Sequence, residues 1–303
     1  MPREIKNISE SVHNRLLYIS KNTGDDFQYL LSKYALERLL YRLSKSGHCN
    51  SFILKGALLF SLWADVPYRS TTDLDLLGRR IDLKVHLKDI FEDICNLDVE
   101  DDGMYYNSIS IDIADIRENQ EYGGQRIKIK ASLGKARIDI QIDIGFGDIV
   151  LPDAELIEYS SLLNFNPPII RVYSKESVVA EKVHAIVILG LTNSRLKDFA
   201  DIHYLAQHFE FDGQRLCKAI KATFERRQTS IPNQVPLALT DIFYNNDAKL
   251  MQWNAFLRKS KVNIDSGIKE VCLMIIEFVM PVMDAISNND PFQKKWNSKD
   301  YWK

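Results

Sequence analysis

Residues 138–144 read Ile-Asp-Ile-Gln-Ile-Asp-Ile, an alternation without a fault. Side chains along a strand point to opposite faces in turn, so the pattern predicts a strand with four isoleucines on one face and Asp139, Gln141 and Asp143 on the other. An edge or half-exposed strand whose polar face simply meets water would give the same pattern. Asp143 is the stronger functional candidate because it lies next to Gly145-Phe146-Gly147-Asp148, where the strand is expected to end and the backbone to open to solvent. Asp139 is the alternative.

A second acidic stretch is Arg69-Ser70-Thr71-Thr72-Asp73-Leu74-Asp75. Read as a strand, it lines Arg69, Thr71, Asp73 and Asp75 along one face and sends Leu74 and Leu76 into the core. Two carboxylates side by side repel each other unless a cation is held between them, and hard oxygen ligands at short, rigid spacing suit Mg²⁺. Two-metal phosphoryl transfer uses three carboxylates, and Asp143 supplies the third. Upstream, Ser51–Trp63 predicts a short buried strand, a turn at Gly56-Ala57 and an amphipathic helix. A helix opening on glycine lets backbone N–H groups approach a phosphate. A glycine that merely permits a tight turn would look the same.

Together, Gly56-Ala57, Arg69-x-Thr71-x-Asp73-x-Asp75 and Asp143 resemble the active-site pattern of the DNA polymerase β-like nucleotidyltransferase fold. Ala180-Glu181-Lys182-Val183-His184-Ala185, followed by residues 193–201 (Asn-Ser-Arg-Leu-Lys-Asp-Phe-Ala-Asp), is similar to the AbiEii branch, the nucleotidyltransferase toxins of type IV toxin–antitoxin systems. The pattern departs at Ala57, where the superfamily carries Gly-Ser or Gly-Gly, so a hydroxyl that could contact the triphosphate is missing.

The resemblance implies an α+β chain: a nucleotidyltransferase-fold mixed sheet with flanking helices, then a helical C-terminal lobe contributing to the active site. It implies Mg²⁺ or Mn²⁺ on Asp73, Asp75 and Asp143, and an NTP positioned by Gly56, Ala57, Arg69, Thr71, Lys182 and Arg195, with Asp198 on a helix lining the site. It further implies an RNA acceptor such as a tRNA 3′ end, with transfer to a small molecule or a protein side chain, or nucleotide binding without chemistry, as the alternatives, and a cognate antitoxin that acts by repressing expression or countering the toxin's effect, without necessarily making stable direct contact.

Lys182 can also be read from the residues alone. Ser174 is a plausible N-cap, Glu176 falls in the first turn and Gly190 stands just past the end of a predicted helix. Lys182 then lies one turn from Val178 and Ile186, on or beside the apolar stripe, where its ammonium needs a triphosphate or a carboxylate, or must snorkel to water. The next helix is expected from Asn193 or Ser194, with Arg195 pairing Asp198 and Lys197 pairing Asp201. His184 points away from Lys182, and a structural hydrogen-bonded role is expected for it.

At 303 residues and 46% hydrophobic content the chain can bury a large core, and two lobes are expected, with domains at 1–172 and 173–303. Strand and helix patterns alternate to about residue 150 and periodicity is helical from Lys175 onward. No run of eighteen apolar residues and no signal-peptide core occurs, which makes a cytoplasmic location the expectation and a membrane partner unexpected. The four cysteines are scattered without a Cys-x-x-Cys pair, so neither zinc nor a disulfide framework is indicated. Net charge is −2, which excludes global attraction to nucleic acid. Locally, Arg126, Lys128 and Lys130 would align on one strand face, and Arg215, Lys218 and Lys221 on one helix side, as stripes able to follow a phosphate backbone. The polar tail from Asn288 is expected to be loose except where Trp296 and Trp302 dock.

Overall fold

The computed structural model describes residues 7–63, 71–116, 123–260, 262 and 264–303. The chain divides into two units, one formed by residues 1–147 and 155–172, the other by 148–154 and 173–303.

The first unit is built on seven strands: β1 (Phe52–Lys55), β2 (Asp73–Gly78), β3 (Met104–Ile116), β4 (Gly124–Leu133), β5 (Ala136–Phe146), β6 (Glu155–Glu158) and β7 (Ile169–Val172). Their order is β3-β4-β5-β2-β1-β7-β6, which puts the Asp-x-Asp strand at the centre. The sheet is mixed, since β2 runs parallel to β5 and β1 parallel to β7 while the other pairs are antiparallel. Residues 169–172, beyond the stretch where strand and helix patterns alternate in the sequence, are thus also a strand of this sheet.

Helices α1 (Ile8–Thr23), α2 (Phe27–Lys45) and α4 (Leu87–Cys95) belong to the same unit, and the short α3 (Phe60–Trp63) follows a 3₁₀ turn at Gly56–Leu59. Gly24, in the left-handed conformation, ends α1, and the Asp26 side chain caps α2. Helix α2 packs against β5 and β7, and α4 against β3. Ile138, Ile140, Ile142 and Ile144 are all buried, as are Leu74 and Leu76, whereas Asp139 is exposed and Gln141, Asp143, Asp73 and Asp75 are partly exposed. The predicted two-faced strand is what forms.

A buried charge network pins α2 to the start of β3. Arg42 donates to both carboxylate oxygens of Asp102, at 2.6 and 3.0 Å, and Arg38 Nε donates to the same carboxylate at 2.9 Å. Burial alone would raise the Asp102 pKa, but the hydrogen bonds and charge of Arg42, with help from Arg38, more than offset that and hold it below the ordinary carboxylate value.

The second unit contains α5 (Lys175–Leu189), α6 (Leu196–His208), α7 (Gly213–Arg226), α8 (Asp241–Tyr244), α9 (Asp247–Ser260) and α10 (Ile268–Asn288). Ser174 caps α5 by accepting from Ser177 N–H, and Gly190 follows its last residue, as the sequence predicts. Residues 148–154 join this unit through local bonds: Ser177 Oγ accepts from Leu151 N–H, and Ser174 donates to the Leu151 carbonyl. The tail is ordered into a three-stranded sheet of β8 (Phe211–Asp212), β9 (Lys295–Asn297) and β10 (Tyr301–Trp302). Trp296 is fully buried and donates to the Ala206 carbonyl at 2.7 Å, while Trp302 donates to that of Phe278 at 2.9 Å. Two indoles with satisfied N–H groups supply the docking energy that the polar composition hides. No helix among the described residues is long and apolar enough to cross a membrane.

Candidate active site

Register brings the acidic residues together. In the parallel pair of β2 and β5, Asp75 is the Cα partner of Asp143, and Asp73 is the partner of Gln141. Neighbouring strands lie roughly 4.8 Å apart, so Asp75 and Asp143 stand side by side on the face opposite the isoleucines. Asp139 lies two residues before the first β5 position paired with β2, opposite Lys130 of β4 and exposed to solvent. Register thus groups Asp143, and not Asp139, with the Asp-x-Asp pair.

Gly56 explains how a loop can sit so close to this pair. Its φ is +75°, a left-handed conformation that side-chain-bearing residues rarely adopt. A Cβ added there would lie 2.6 Å from Cγ of Asp75 and closer still to its Oδ2. The turn therefore presses bare backbone against the Asp75 carboxylate. Ala57 is buried and, lacking a hydroxyl, has no side-chain donor to offer a ligand. The helix expected to open here is a four-residue 3₁₀ turn followed by a single described turn of α-helix.

Strand β2 begins at Asp73, and Thr71 precedes it instead of lying within it; the Thr71 hydroxyl accepts from Asp73 N–H at 3.3 Å. Arg69 lies outside the described residues. The expected basic stripe on β4 is divided in its roles. Lys128 and Lys130 are exposed, but Arg126 faces Asp143 directly across the β4–β5 pair and donates to both of its oxygens, at 2.8 Å from Nε and 2.7 Å from Nη2. The hydrogen bonds from Arg126 to Asp143 chiefly raise the arginine's pKa, with the charges of Asp143, Asp73 and Asp75 adding to them. The sequence carried a signal for this contact. A two-residue turn at Gly134-Lys135 joins β4 to β5, and counting outward from it sets Arg126 opposite Asp143.

The donor chemistry fits a divalent cation: three carboxylates, two of them directly paired in register, with a glycine keeping the rim clear. As the side chains stand, no group of three or more His, Cys, Asp or Glu among the described residues converges closely enough to hold an ion. Asp143 has both oxygens committed to Arg126.

Within the helical unit, Lys182 and the acids of α6 form a second cluster. The Lys182 ammonium lies 2.7 Å from Asp198 Oδ1 and 2.8 Å from Asp201 Oδ2, and both aspartates are fully buried. Arg195 Nε stands 2.8 Å from the other Asp198 oxygen, a charge contact without hydrogen-bond alignment. The anticipated Arg195–Asp198 pair is present. Asp201, however, pairs with Lys182 and not with Lys197, and the acids are core residues instead of a solvated face. Asp198 and Asp201 are thus carboxylate partners of Lys182. Helix α6 starts at Leu196, a little later than expected, because a 3₁₀ turn at Gly190–Thr192 and an Asn193 side chain accepting from Arg195 N–H occupy the approach.

His184 serves structure. Arg227 Nη1 donates to His184 Nδ1 at 3.1 Å, which leaves Nε2–H to donate to Thr229 Oγ1 at 3.0 Å. Burial, reinforced by the Arg227 charge, pushes its pKa down to about 4, so the ring is neutral at physiological pH.

A central Asp-x-Asp strand, a third carboxylate beside it on a parallel neighbour and a glycine turn against the pair together define a nucleotidyltransferase-type sheet. The family model described as nucleotidyl transferase AbiEii toxin, type IV TA system, matches residues 38–272, and the chain belongs to that family of nucleotidyltransferase toxins. The crystal structure of JHP933 from Helicobacter pylori superposes with a TM-score of 0.49 at 17% identity, covering 86% of this chain and 93% of that one. A second structure from H. pylori, provisionally described as a nucleotidyltransferase, gives a TM-score of 0.48 at 17% identity, covering 88% and 97%. No curated protein matches the chain.

Proposed function

We propose that this toxin-family enzyme transfers a nucleotide from an NTP to an acceptor hydroxyl of RNA, such as a tRNA 3′ end, at the carboxylate face of the sheet. The observation that carries the reading is the register that places Asp75 beside Asp143 with Asp73 two residues away on the central strand. Asp73, Asp75 and Asp143 would hold Mg²⁺ or Mn²⁺, which when bound offsets the negative charge of the phosphates and of the transition state. The acceptor oxygen attacks the α-phosphorus, a new P–O bond forms, and the bond to pyrophosphate breaks.

The chain's own residues set the geometry. Gly56 keeps the space against Asp75 free of a side chain, and Thr71 fixes the entry to the carboxylate strand. The main chain at Gly56 and Ala57 would lie against the nucleotide. Lys182, Asp198 and Arg195 act by organising the helical unit, because the ammonium is paired with two buried carboxylates. Exposed Lys128 and Lys130, on the same strand face as Arg126, are the cations that would follow the RNA backbone.

Purified protein incubated with each α-labelled NTP, total RNA and Mg²⁺ or Mn²⁺ tests this reading. Label on RNA supports it. Label on protein or on a small molecule would move the acceptor to another class, and label nowhere would make the chain a nucleotide-binding module without chemistry.

A further inference from the structure

Arg126 does not behave as one member of a basic stripe. It sits on β4 exactly across from Asp143, and its bidentate contact occupies both oxygens of that carboxylate. The pair is partly exposed, with side-chain accessibilities of 39% for Arg126 and 22% for Asp143, so the guanidinium can swing outward without leaving a cavity. Asp73 and Asp75 also hold it in the cationic state. Arg126 thus provides a counter-charge on the face that carries Asp73, Asp75 and Asp143.

We infer that Arg126 is the positioning residue of the metal site: its guanidinium is the counter-ion of Asp143 in the metal-free chain, and a divalent cation takes Asp143 by displacing it. A planar guanidinium bound through two N–H groups takes a lone pair on each Asp143 oxygen and sets a positive charge against the carboxylate, so an ion must compete with it for Asp143. The exchange keeps Asp143 oriented before loading and lowers the repulsion among the three acids. It also weakens metal binding by the strength of the pair. The inference rests on the assignment of Asp73, Asp75 and Asp143 as ligands.

Mn²⁺ titration of the full-length protein, followed by calorimetry and by the electron paramagnetic resonance of the free ion, tests it without any turnover. Wild type, Arg126→Gln, Arg126→Lys and Asp143→Asn are compared. Arg126→Gln is expected to bind Mn²⁺ about tenfold more tightly, with Arg126→Lys between it and wild type because an ammonium makes a weaker, non-bidentate contact. Without metal, the thermal transition of Arg126→Gln should fall, and saturating Mn²⁺ should raise it by more than it raises that of wild type. If Arg126→Gln binds Mn²⁺ equally or more weakly while Asp143→Asn abolishes binding, the inference is overturned and the metal site stands. If wild type and Arg126→Gln both fail to bind at millimolar Mn²⁺, the metal site itself is wrong and the inference goes with it.

Discussion

At Gly56 two requirements meet: a backbone φ of +75° and a carboxylate pressed where a Cβ would be. Gly56→Ala should cost about 1–2 kcal/mol for the left-handed conformation alone, and the methyl must also push Asp75 out of register with Asp143. The expected outcome is a lowered thermal transition together with near-complete loss of transfer. Normal activity in a well-folded Gly56→Ala would show that Asp75 need not stay where it is. The two aspartates of β5 give a sharper contrast. Asp143→Asn should reduce transfer by several orders of magnitude, because electrostatic stabilisation dominates phosphoryl transfer. Asp139→Asn, changed at an exposed site opposite Lys130, should stay close to wild type. Reversed outcomes would exchange their roles. Sequence alternation places both on the polar face and the strand end at Gly145–Asp148 favours Asp143; that Asp143 and not Asp139 stands beside Asp75 comes from the offset of β5 against β2, which depends on tertiary pairing.

Among elements, α5 and α6 are joined by charge buried in their interface. Removing Lys182 leaves Asp198 and Asp201 facing each other without their shared cation, and breaking a buried pair of this kind costs about 3–5 kcal/mol. Lys182→Met should therefore lower the stability of the helical unit sharply, as measured by chemical denaturation. A Lys182→Met protein with unchanged stability and lost NTP affinity would instead mark the lysine as a triphosphate ligand. The helix boundaries, the Ser174 cap and the lysine on the apolar stripe are legible from local pattern. Its partners are not, because Asp198 and Asp201 reach it through helix packing that periodicity does not encode. On β4, the double reversal Lys128→Glu with Lys130→Glu should raise the Michaelis constant for RNA and flatten its salt dependence, losing about one unit of log–log slope per phosphate contact. Unchanged slopes would remove RNA from this strand.

For the molecule as a whole, acid stability has a predicted source in the helical unit. His184 is held at about 4, below the value of about 6.5 for an unfolded histidine. Between these values the unfolded chain binds the extra proton, so stability rises with pH. Its contribution is full above about pH 6.5 and is lost as the pH falls through 4. Thermal transitions measured from pH 7 to 4 should fall across that window, and His184→Asn should flatten the fall; an identical slope in the variant would assign it to other groups. The two-faced strand of residues 138–144 and the strand carrying Asp73 and Asp75 were readable because each follows from a two-residue period, whereas the α+β class with its mixed sheet came from the family resemblance. Docking of Trp296 and Trp302 was readable too, but the seven-strand order, the parallel placing of β7 beside β1 and the strands of the tail were not, since they depend on long-range pairing. Nucleotidyl transfer at the carboxylate face is the activity proposed for the whole molecule. The most direct test gives the same NTP labelled at the α- or the γ-phosphate to wild type, Asp75→Asn and Asp139→Asn, and follows label into acceptor RNA. α-Label should appear on RNA and γ-label only in pyrophosphate, with transfer abolished in Asp75→Asn and kept in Asp139→Asn. γ-Label on the acceptor, or undiminished α-transfer by Asp75→Asn, would contradict that proposal.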